Sequence, residues 1–384
     1  MSIFDELIDH AALPFPAARM MPSSAYTSDE VLAAEHRRIF ADEWHCVGRT
    51  ADLPDPGDYL VGEVPSSIPG EHRSVIVLRN DAGELAAFDN VCAHRGSPLL
   101  AGCGNEARIT CPYHAWVFRL DGQLIGAPYM NATVDIDGQP FAPSTQSLRG
   151  VRLEVWEGFI FVNQSDDAPG LGERLIGLTE RVAPFRMAGY VPVHQQVDVW
   201  ATNWKLLFEN FMDAYHVFKV HRASFAKNGD NTSATRMFPG TDDWAHHVVV
   251  HDSEHGSGSA HSDNTSLEGE WRRSVLLGAV FPTHVMQLQP DWLWSLQLSP
   301  IGTDHVRIRW DVSIAPEVFA AQADPSAYVA EVLELLNLVN AEDKPIVEGV
   351  RRGVTTPEMR RGPLSYLERN VYDFDRYIAR RLTT

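Results

Sequence analysis

The spacing of apolar residues changes character twice along the chain, and each change predicts a different kind of element. Residues 24–49 carry Val31, Leu32, His36, Ile39 and Phe40 at helical spacing, with Ser28 placed to cap, which predicts a helix. Beyond it the apolar runs become short and are separated by Gly, Pro and Asn-Asp turns: 59–64, 74–78, 84–88, 108–111, 123–125, 151–155 and 159–162. Asp121-Gly122 is a hairpin signal. Residues 45–165 therefore read as a small all-β domain, and residues 1–44 as a helical segment expected to pack on the domain of residues 166–384. After about residue 166 the runs lengthen again. A helix is predicted over 172–183, a strand over 197–201 and a strongly apolar helix over 204–220. Residues 251–270 are rich in His, Gly and Ser and read as a long, solvated loop, with His251, His255 and His261 on it. Four strands follow at 274–281, 284–288, 292–298 and 305–314, then helices at 326–350 and 365–382. Strands followed by helices predict an α+β domain over 166–384, its antiparallel sheet covered by helices.

Composition narrows the function classes. Lys and Arg number 32 against 51 Asp and Glu, a formal charge of −19, which argues against a nucleic-acid partner. No run of apolar residues is long enough for a membrane helix, and the acidic start lacks a basic signal-peptide region, so a cytoplasmic location is expected. Four cysteines make no disulfide framework and are free to hold metal. No GxGxxG follows a strand, and GxSxG and P-loop motifs are absent. The chain itself is therefore expected to bind neither nicotinamide nor flavin.

The β domain contains Cys92-Ala93-His94 and, further on, Cys111-Pro112-Tyr113-His114. Two thiolates and two imidazoles are a four-ligand set. Zinc is one candidate, and two ordinary Cys-His pairs are the bland alternative. Zinc sites usually pair Cys with Cys and His with His, whereas here each loop brings one of each. That mixture suits a [2Fe–2S] cluster with Cys92 and Cys111 on one iron and His94 and His114 on the other, the Rieske type. Ala115 and Trp116 offer no hydroxyl to the cluster sulfurs, which predicts a potential near the low end, roughly −150 mV. Cys46 and Cys103 read as small buried hydrophobes.

The helix predicted over 204–220 has one core face, Trp204, Leu207, Phe208, Phe211, Tyr215 and Phe218. A second stripe carries Glu209, Asp213 and His216, which are costly on an apolar helix unless paired or bound to metal. His221 lies about 140° from His216 on an ideal helix, so the helix must end or distort between them for both to reach one ion. An oxygen-activating iron site needs two His and a carboxylate. Asp343 offers one, on the apolar stripe Val332, Leu336, Val339, Val347 and Val350 of the later helix, while Glu342 should face water. Capping of a turn at Pro345, or pairing with an Arg, is the structural alternative for Asp343.

Together these residues resemble the Rieske non-haem iron oxygenases, α subunit, over nearly the whole chain. Cys92-Ala93-His94-Arg95-Gly96 with Cys111-Pro112-Tyr113-His114 matches the cluster motif. Glu209-Asn210 through Asp213, Tyr215-His216 and His221 matches the iron helix, and Glu342-Asp343 with Glu348-Gly349 resembles the segment of the third ligand. The resemblance implies a Rieske domain plus a helix-grip catalytic domain and a mononuclear Fe(II) on His216, His221 and Asp343. It implies O2 as co-substrate, and electrons from NAD(P)H through a separate reductase, with or without a ferredoxin. It also implies a homotrimer or larger ring in which Asp213 bridges the cluster of one subunit and the iron of the next, with Asn210 and Tyr215 around the ligands. A fainter similarity points to the group that includes choline, glycine-betaine and carnitine oxygenases.

The pocket walls are expected from Met212, Val217, Phe218, Phe281, Met286, Leu288, Trp292, Trp294 and Leu296. Trp292 and Trp294 share a strand face and suit a methylated ammonium cation, with plain core packing as the blander and favoured reading. An aromatic substrate, hydroxylated or O-demethylated, is the rival. A Rieske electron-transfer protein without oxygenase activity, and a zinc-stabilised binding module, are the readings from other classes.

Overall fold

The computed structural model describes residues 2–130, 133–134, 137–227, 232–251, 258–357 and 359–383. Helix α1 (Ile3–Ala11) starts on a capping box between Ser2 and Asp5 and buries Leu7 and His10. Where one helix was expected over 24–49, the chain forms Ser23–Thr27, then Asp29–Glu35 capped by the Ser28 hydroxyl, then a π-helical turn His36–Phe40. Strand His45–Arg49 follows, paired antiparallel with Phe159–Asn163. All five of its residues are buried, so it shows no alternation by which a strand could be told from a helix end.

The short runs after it become strands within a residue or two of their predicted limits. Leu85–Asp89, His72–Arg79, Asp58–Pro65 and Cys103–Asn105 form one sheet in that order. Ile109–Thr110, Val117–Phe118 and Leu124–Gly126 form another. Gly122, at φ 84°, makes the turn of the last hairpin. Cys46 is buried as expected, but Cys103 is exposed because Cys103–Asn105 is an edge strand.

The second half is built on a seven-stranded antiparallel sheet. Its strands are β1 (Val191–Trp200), β2 (Thr235–Met237), β3 (Trp244–Val250), β4 (Ser274–Val280), β5 (His284–Leu288), β6 (Trp292–Pro300) and β7 (Val306–Ile314). They run in the order β1-β7-β6-β5-β4-β3-β2. The pattern reading missed β2 and β3. Three helices cover the sheet, α2 (Trp204–Met212), α4 (Pro325–Gly353) and α5 (Arg369–Thr383), with α2 packed against both α4 and α5. α1 packs on α5. A single turn, α3 (Val217–Val220), follows α2. Of the loop predicted over 251–270, residues 252–257, His255 among them, lie outside the described residues; 258–267 are irregular and Gly269–Arg273 is a 3-10 turn. Among the described residues no helix is long and apolar enough to cross a membrane.

The helix predicted over 204–220 is broken, and the break makes the site. Asn203 caps α2 by accepting from the Lys205 N–H. The helix stops at Met212, and Asp213 turns extended at φ −84°, ψ 112°. α3 then occupies the space between His216 and His221 and ends there, so the expected ending is found. The larger interruption lies upstream, between Asp213 and His216. It turns Tyr215 and Phe218 outward, 48% and 38% exposed, off the core face assigned to them.

Candidate metal centres and the cavity beside them

The two loops carrying Cys92 and Cys111 have the same backbone form. The N–H of Gly96 donates to the carbonyl of Cys92 at 3.0 Å, and that of Ala115 to Cys111 at 3.1 Å. The Cys92 N–H donates to Ser97 O and the Cys111 N–H to Trp116 O, both at 2.8 Å. The fourth residue past each Cys is left-handed: Gly96 at φ 73°, Ala115 at φ 56°. Matched turns aim the N–H groups of His94 and Arg95 at Cys92 Sγ, and those of Tyr113 and His114 at Cys111 Sγ. Burial pushes both thiols up. At Cys111 the amide bonds, helped by Cys92 and by the Ser97 hydroxyl, which also reaches the Pro98 carbonyl at 3.1 Å, outweigh burial and hold the thiol below its ordinary value; Cys92 stays above. The His94 and His114 rings lie 4.8 Å apart, and Trp116 stacks on His94 at 4.7 Å. Buried His94 Nδ1 has no partner in the protein. Two thiols in amide nests, two adjacent imidazoles and an orphaned ring nitrogen fit a histidine-ligated two-iron cluster. The sequence reading looked for a hydroxyl only after His114 and so missed Ser97. Ser97→Ala is expected to lower the cluster potential, on the order of tens of millivolts, which a redox titration checks.

At the second centre, Nε2 of His216 and Nε2 of His221 stand 3.1 Å apart. Asp343 Oδ1 is 3.6 Å from the first and 3.3 Å from the second. The three side chains offer ligand atoms that all lie within 4.8 Å of one another. Their outward nitrogens are engaged: His216 Nδ1 with Asp213 Oδ2 at 3.2 Å, and His221 Nδ1 with Glu342 Oε2 at 2.9 Å. A carboxylate on each Nδ1 fixes that nitrogen as the donor and leaves each Nε2 lone pair facing Asp343. Burial opposes charge on His221, but Asp343 and Glu342 outweigh it and raise the imidazole above its ordinary value. Two imidazoles and one carboxylate around one point are the donor set of a non-haem iron site.

Asp343 neither caps a turn nor pairs with an Arg, since α4 continues through Pro345. Glu342 does not face water as predicted. Besides His221, it accepts from the Ser224 hydroxyl at 2.5 Å and the Ala223 N–H at 3.3 Å. Helical periodicity put it off the apolar stripe but could not show that the 221–224 turn folds over it. Asn210 Nδ2 reaches Asp343 Oδ1 at 3.5 Å. Tyr215 contributes only its backbone N–H, to Asp213. Glu209 turns away from the metal donors and accepts from the Tyr26 hydroxyl at 2.9 Å. Glu342→Ala is expected to weaken iron binding at this centre by roughly 10–100-fold with the cluster unaffected, measured by chelator competition.

A cavity of about 580 Å³ opens from these donors between α4 and the sheet. Of the predicted walls, Val217, Trp292 and Trp294 line it. Met212, Phe218, Phe281 and Met286 do not, nor do Leu288 and Leu296. On β5 the cavity side is held by Gln287, with Gln289 just beyond, so Met286 and Leu288 point to the other face. Phe281 is packed against Phe208, Phe374 and Tyr377, Met212 is wholly buried in the core, and Phe218 faces out. Strand register shows what pattern reading missed: His247, Leu277, Gln287 and Trp294 are successive cross-strand neighbours and form one row of the floor. Burial holds His247 neutral, its pKa lowered to about 4, and its Nδ1 meets Asn370 Oδ1 at 3.0 Å.

Fold and donor sets together define a two-centre protein, a Rieske-type [2Fe–2S] domain joined to a non-haem iron domain. The comparisons agree. Residues 43–147 match the Rieske [2Fe-2S] domain and residues 187–384 the catalytic domain of the ring hydroxylating alpha subunit. The chain belongs to the ring hydroxylating alpha subunit family. It is 35% identical over 202 residues to the glycine betaine monooxygenase oxygenase subunit of Chromohalobacter salexigens, covering 52% of this chain and 43% of that protein. It is 32% identical over 226 residues to the carnitine monooxygenase oxygenase subunit of Acinetobacter baumannii, covering 58% and 57%. The match thus spans about half the length of these relatives. The structure of a quaternary ammonium Rieske monooxygenase superposes with a TM-score of 0.81 at 24% identity, covering 97% of this chain and 98% of that one, a likeness of fold.

Proposed function

We propose that the chain is the terminal oxygenase component of a Rieske-type system that hydroxylates or oxidatively demethylates a small organic substrate, a methylated or quaternary ammonium compound. The observation that carries this is the convergence of His216, His221 and Asp343 on one point, with both outward ring nitrogens held by carboxylates. In this reading Cys92, His94, Cys111 and His114 hold the cluster, residues 45–165 form its domain, and residues 166–384 the catalytic one. The bound metals supply electron storage and dioxygen activation, with electrons from NAD(P)H through a separate reductase. The protein's own residues position and insulate. Asp213 orients His216 and, in the homotrimer this reading carries, would bridge to a neighbouring subunit's cluster. Glu342 orients His221 and, with Ser224, closes one side of the site. Phe211, Trp292 and Trp294 present apolar surface that keeps water from the reacting carbon. Use of cytoplasmic nicotinamide as the electron source supports a cytoplasmic location.

The relatives' names favour ammonium substrates, and the aromatic lining suits them. The same lining would accept an aromatic ring, which is the second reading. A purely electron-transferring protein would leave the His216–His221–Asp343 convergence without a purpose. The test is turnover with reductase, NAD(P)H and O2 over a panel of trimethylammonium and methoxyaromatic compounds, scoring hydroxylated product and formaldehyde. Product from the ammonium panel supports the reading; product from the aromatic panel alone replaces it with the second.

A further inference from the structure

A second cavity, of about 300 Å³, lies between α2, α4, α5 and residues 362–364. Among the described residues it shares Asn210, Asp213 and His216, and nothing else, with the larger cavity beside the metal donors. Exposed Ile346, Val350 and Pro363 form its other end, so it runs from solvent to the back of the metal-binding turn. At about 30 Å³ per molecule, the space holds on the order of ten waters. Four carboxyls line it, Glu209, Asp213, Glu368 and Asp375, and among the described residues no Lys or Arg does. Glu368 ends the 3-10 turn Tyr366–Glu368 and accepts the Ser365 N–H on Oε2 at 2.6 Å; no described residue bonds to its Oε1. Asp375 is wholly buried, with His10 Nε2 at 3.4 Å and no hydrogen bond to either oxygen.

Burial raises Glu209 and Asp375 well above the ordinary carboxylate range, and the carboxyls around them add to it, against Lys205 and Arg361. Both are therefore neutral acids. Glu368 is pushed up to about 7, mainly by burial, with Asp213 adding and the Ser365 N–H and His216 opposing. The cations nearby are engaged elsewhere: Lys205 with Glu35, Arg369 with Asp373 and Arg236 with Glu270. Arg361 donates to the Met20 carbonyl and meets His10 Nδ1. α4 brings only Ile346, Val347 and Val350 to the lining. Glu368 thus gains and loses its proton near neutral pH with one oxygen open to the cavity.

We propose that this second cavity is the proton inlet of the metal site, and that Glu368 relays protons through it from solvent. Hydroxylation consumes them: R–H + O2 + 2 e− + 2 H+ → R–OH + H2O. The Glu368 carboxyl gives its proton to cavity water, which passes it along past Asn210 to the oxygen being reduced. The Glu368 carboxylate then takes the next proton from water at the open end. Asn210 suits the crossing because its amide both donates to water and accepts from it. A substrate seated against Phe211, Trp292 and Trp294 excludes bulk water from the larger cavity, so protons need a separate way in. The proposal rests on the oxygenase reading and adds a residue to it.

Two measurements on the holoenzyme test it. The first is an infrared pH titration without turnover. A protonated-carboxyl band should fade around pH 7 in the parent protein and be missing in Glu368→Gln, which keeps an acceptor for the Ser365 N–H. The second is stopped-flow O2 consumption by the pre-reduced holoenzyme with the panel compounds present. In the parent the rate should fall as pH rises through about 7, because the protonated acid is the donor, and should slow in D2O. Glu368→Gln should be at least about tenfold slower and lose that pH step, with cluster spectrum and melting temperature unchanged. Glu368→Asp, which keeps an ionisable carboxyl, should recover the pH step at part of the rate. A Glu368→Gln protein with the parent's fading band, or a rate loss that leaves the pH step and the isotope effect in place, would overturn the proposal. Glu368-dependent O2 consumption with no oxygenated product sinks the oxygenase reading alone. Oxygenated product with Glu368-independent O2 consumption sinks this one, and no O2 consumption at all sinks both.

Discussion

Replacing His216 with alanine is expected to abolish the proposed oxygenation while leaving the cluster spectrum intact: that is the largest functional effect the site geometry predicts. His216 Nε2 is one of three donors facing a single point, and its imidazole is held in place by Asp213 on the other nitrogen. With one donor gone, the remaining His221 and Asp343 bind the ion weakly and leave it free to take up solvent. A metal ion in this role is worth several kcal/mol of barrier, so the loss in kcat should be at least about 10³-fold. Cys92, His94, Cys111 and His114, the proposed cluster ligands, sit on separate loops of the other domain, closed by their own hydrogen bonds. Reduction by dithionite and the visible spectrum should therefore match the parent protein. Loss of the cluster signal in the same variant would show that the two centres are not independent structural units.

The largest expected stability effect is at Lys205. Its Nζ pairs with Glu35 Oε1, and both side chains are almost wholly buried. Glu35 also accepts from Trp204 Nε1 at 2.9 Å. The pair fastens the first turn of α2, the helix that leads into the metal-binding turn, to the N-terminal helix Asp29–Glu35. Lys205→Met strands a buried carboxylate and should cost about 3–5 kcal/mol. With about 2–4 °C per kcal/mol for a domain of this size, the melting temperature should fall by roughly 10 °C. A matched Glu35→Leu/Lys205→Met double variant should recover much of that, because removing both charges removes the desolvation cost. Thermal unfolding of the three proteins checks it; a double variant no better than the single one would show that Glu35 is held by more than this pair.

The Cys-His loops and the pair His216 and His221 were marked in the chain by local spacing, whereas Asp343, which the structure brings within reach of both, was marked by its place on an apolar stripe and by the family resemblance. Cys-x-His and Cys-x-x-His fix the cluster loops, and a helix carrying Asp213 and His216 before His221 fixes the iron turn. The strands of the β domain were legible from alternation and turn residues. What could not be read depends on contacts distant in sequence. Glu342 looked solvent-facing on its own helix, and only the fold of the 221–224 turn brings Ser224 and His221 onto it. Met286 and Leu288 looked like pocket walls, but the sheet's register gives that face to Gln287 and Gln289. His45–Arg49 passed for the end of a helix because burial on both faces removes the period-two signal.

The central claim is that one chain carries both an Fe–S cluster and a mononuclear iron. Iron and acid-labile sulfide per chain, measured together with the EPR spectrum of the dithionite-reduced protein, test it most directly. About three irons and two sulfides with the signal of a histidine-ligated cluster are predicted. Zinc in place of iron, with no such signal, would contradict the account at its root.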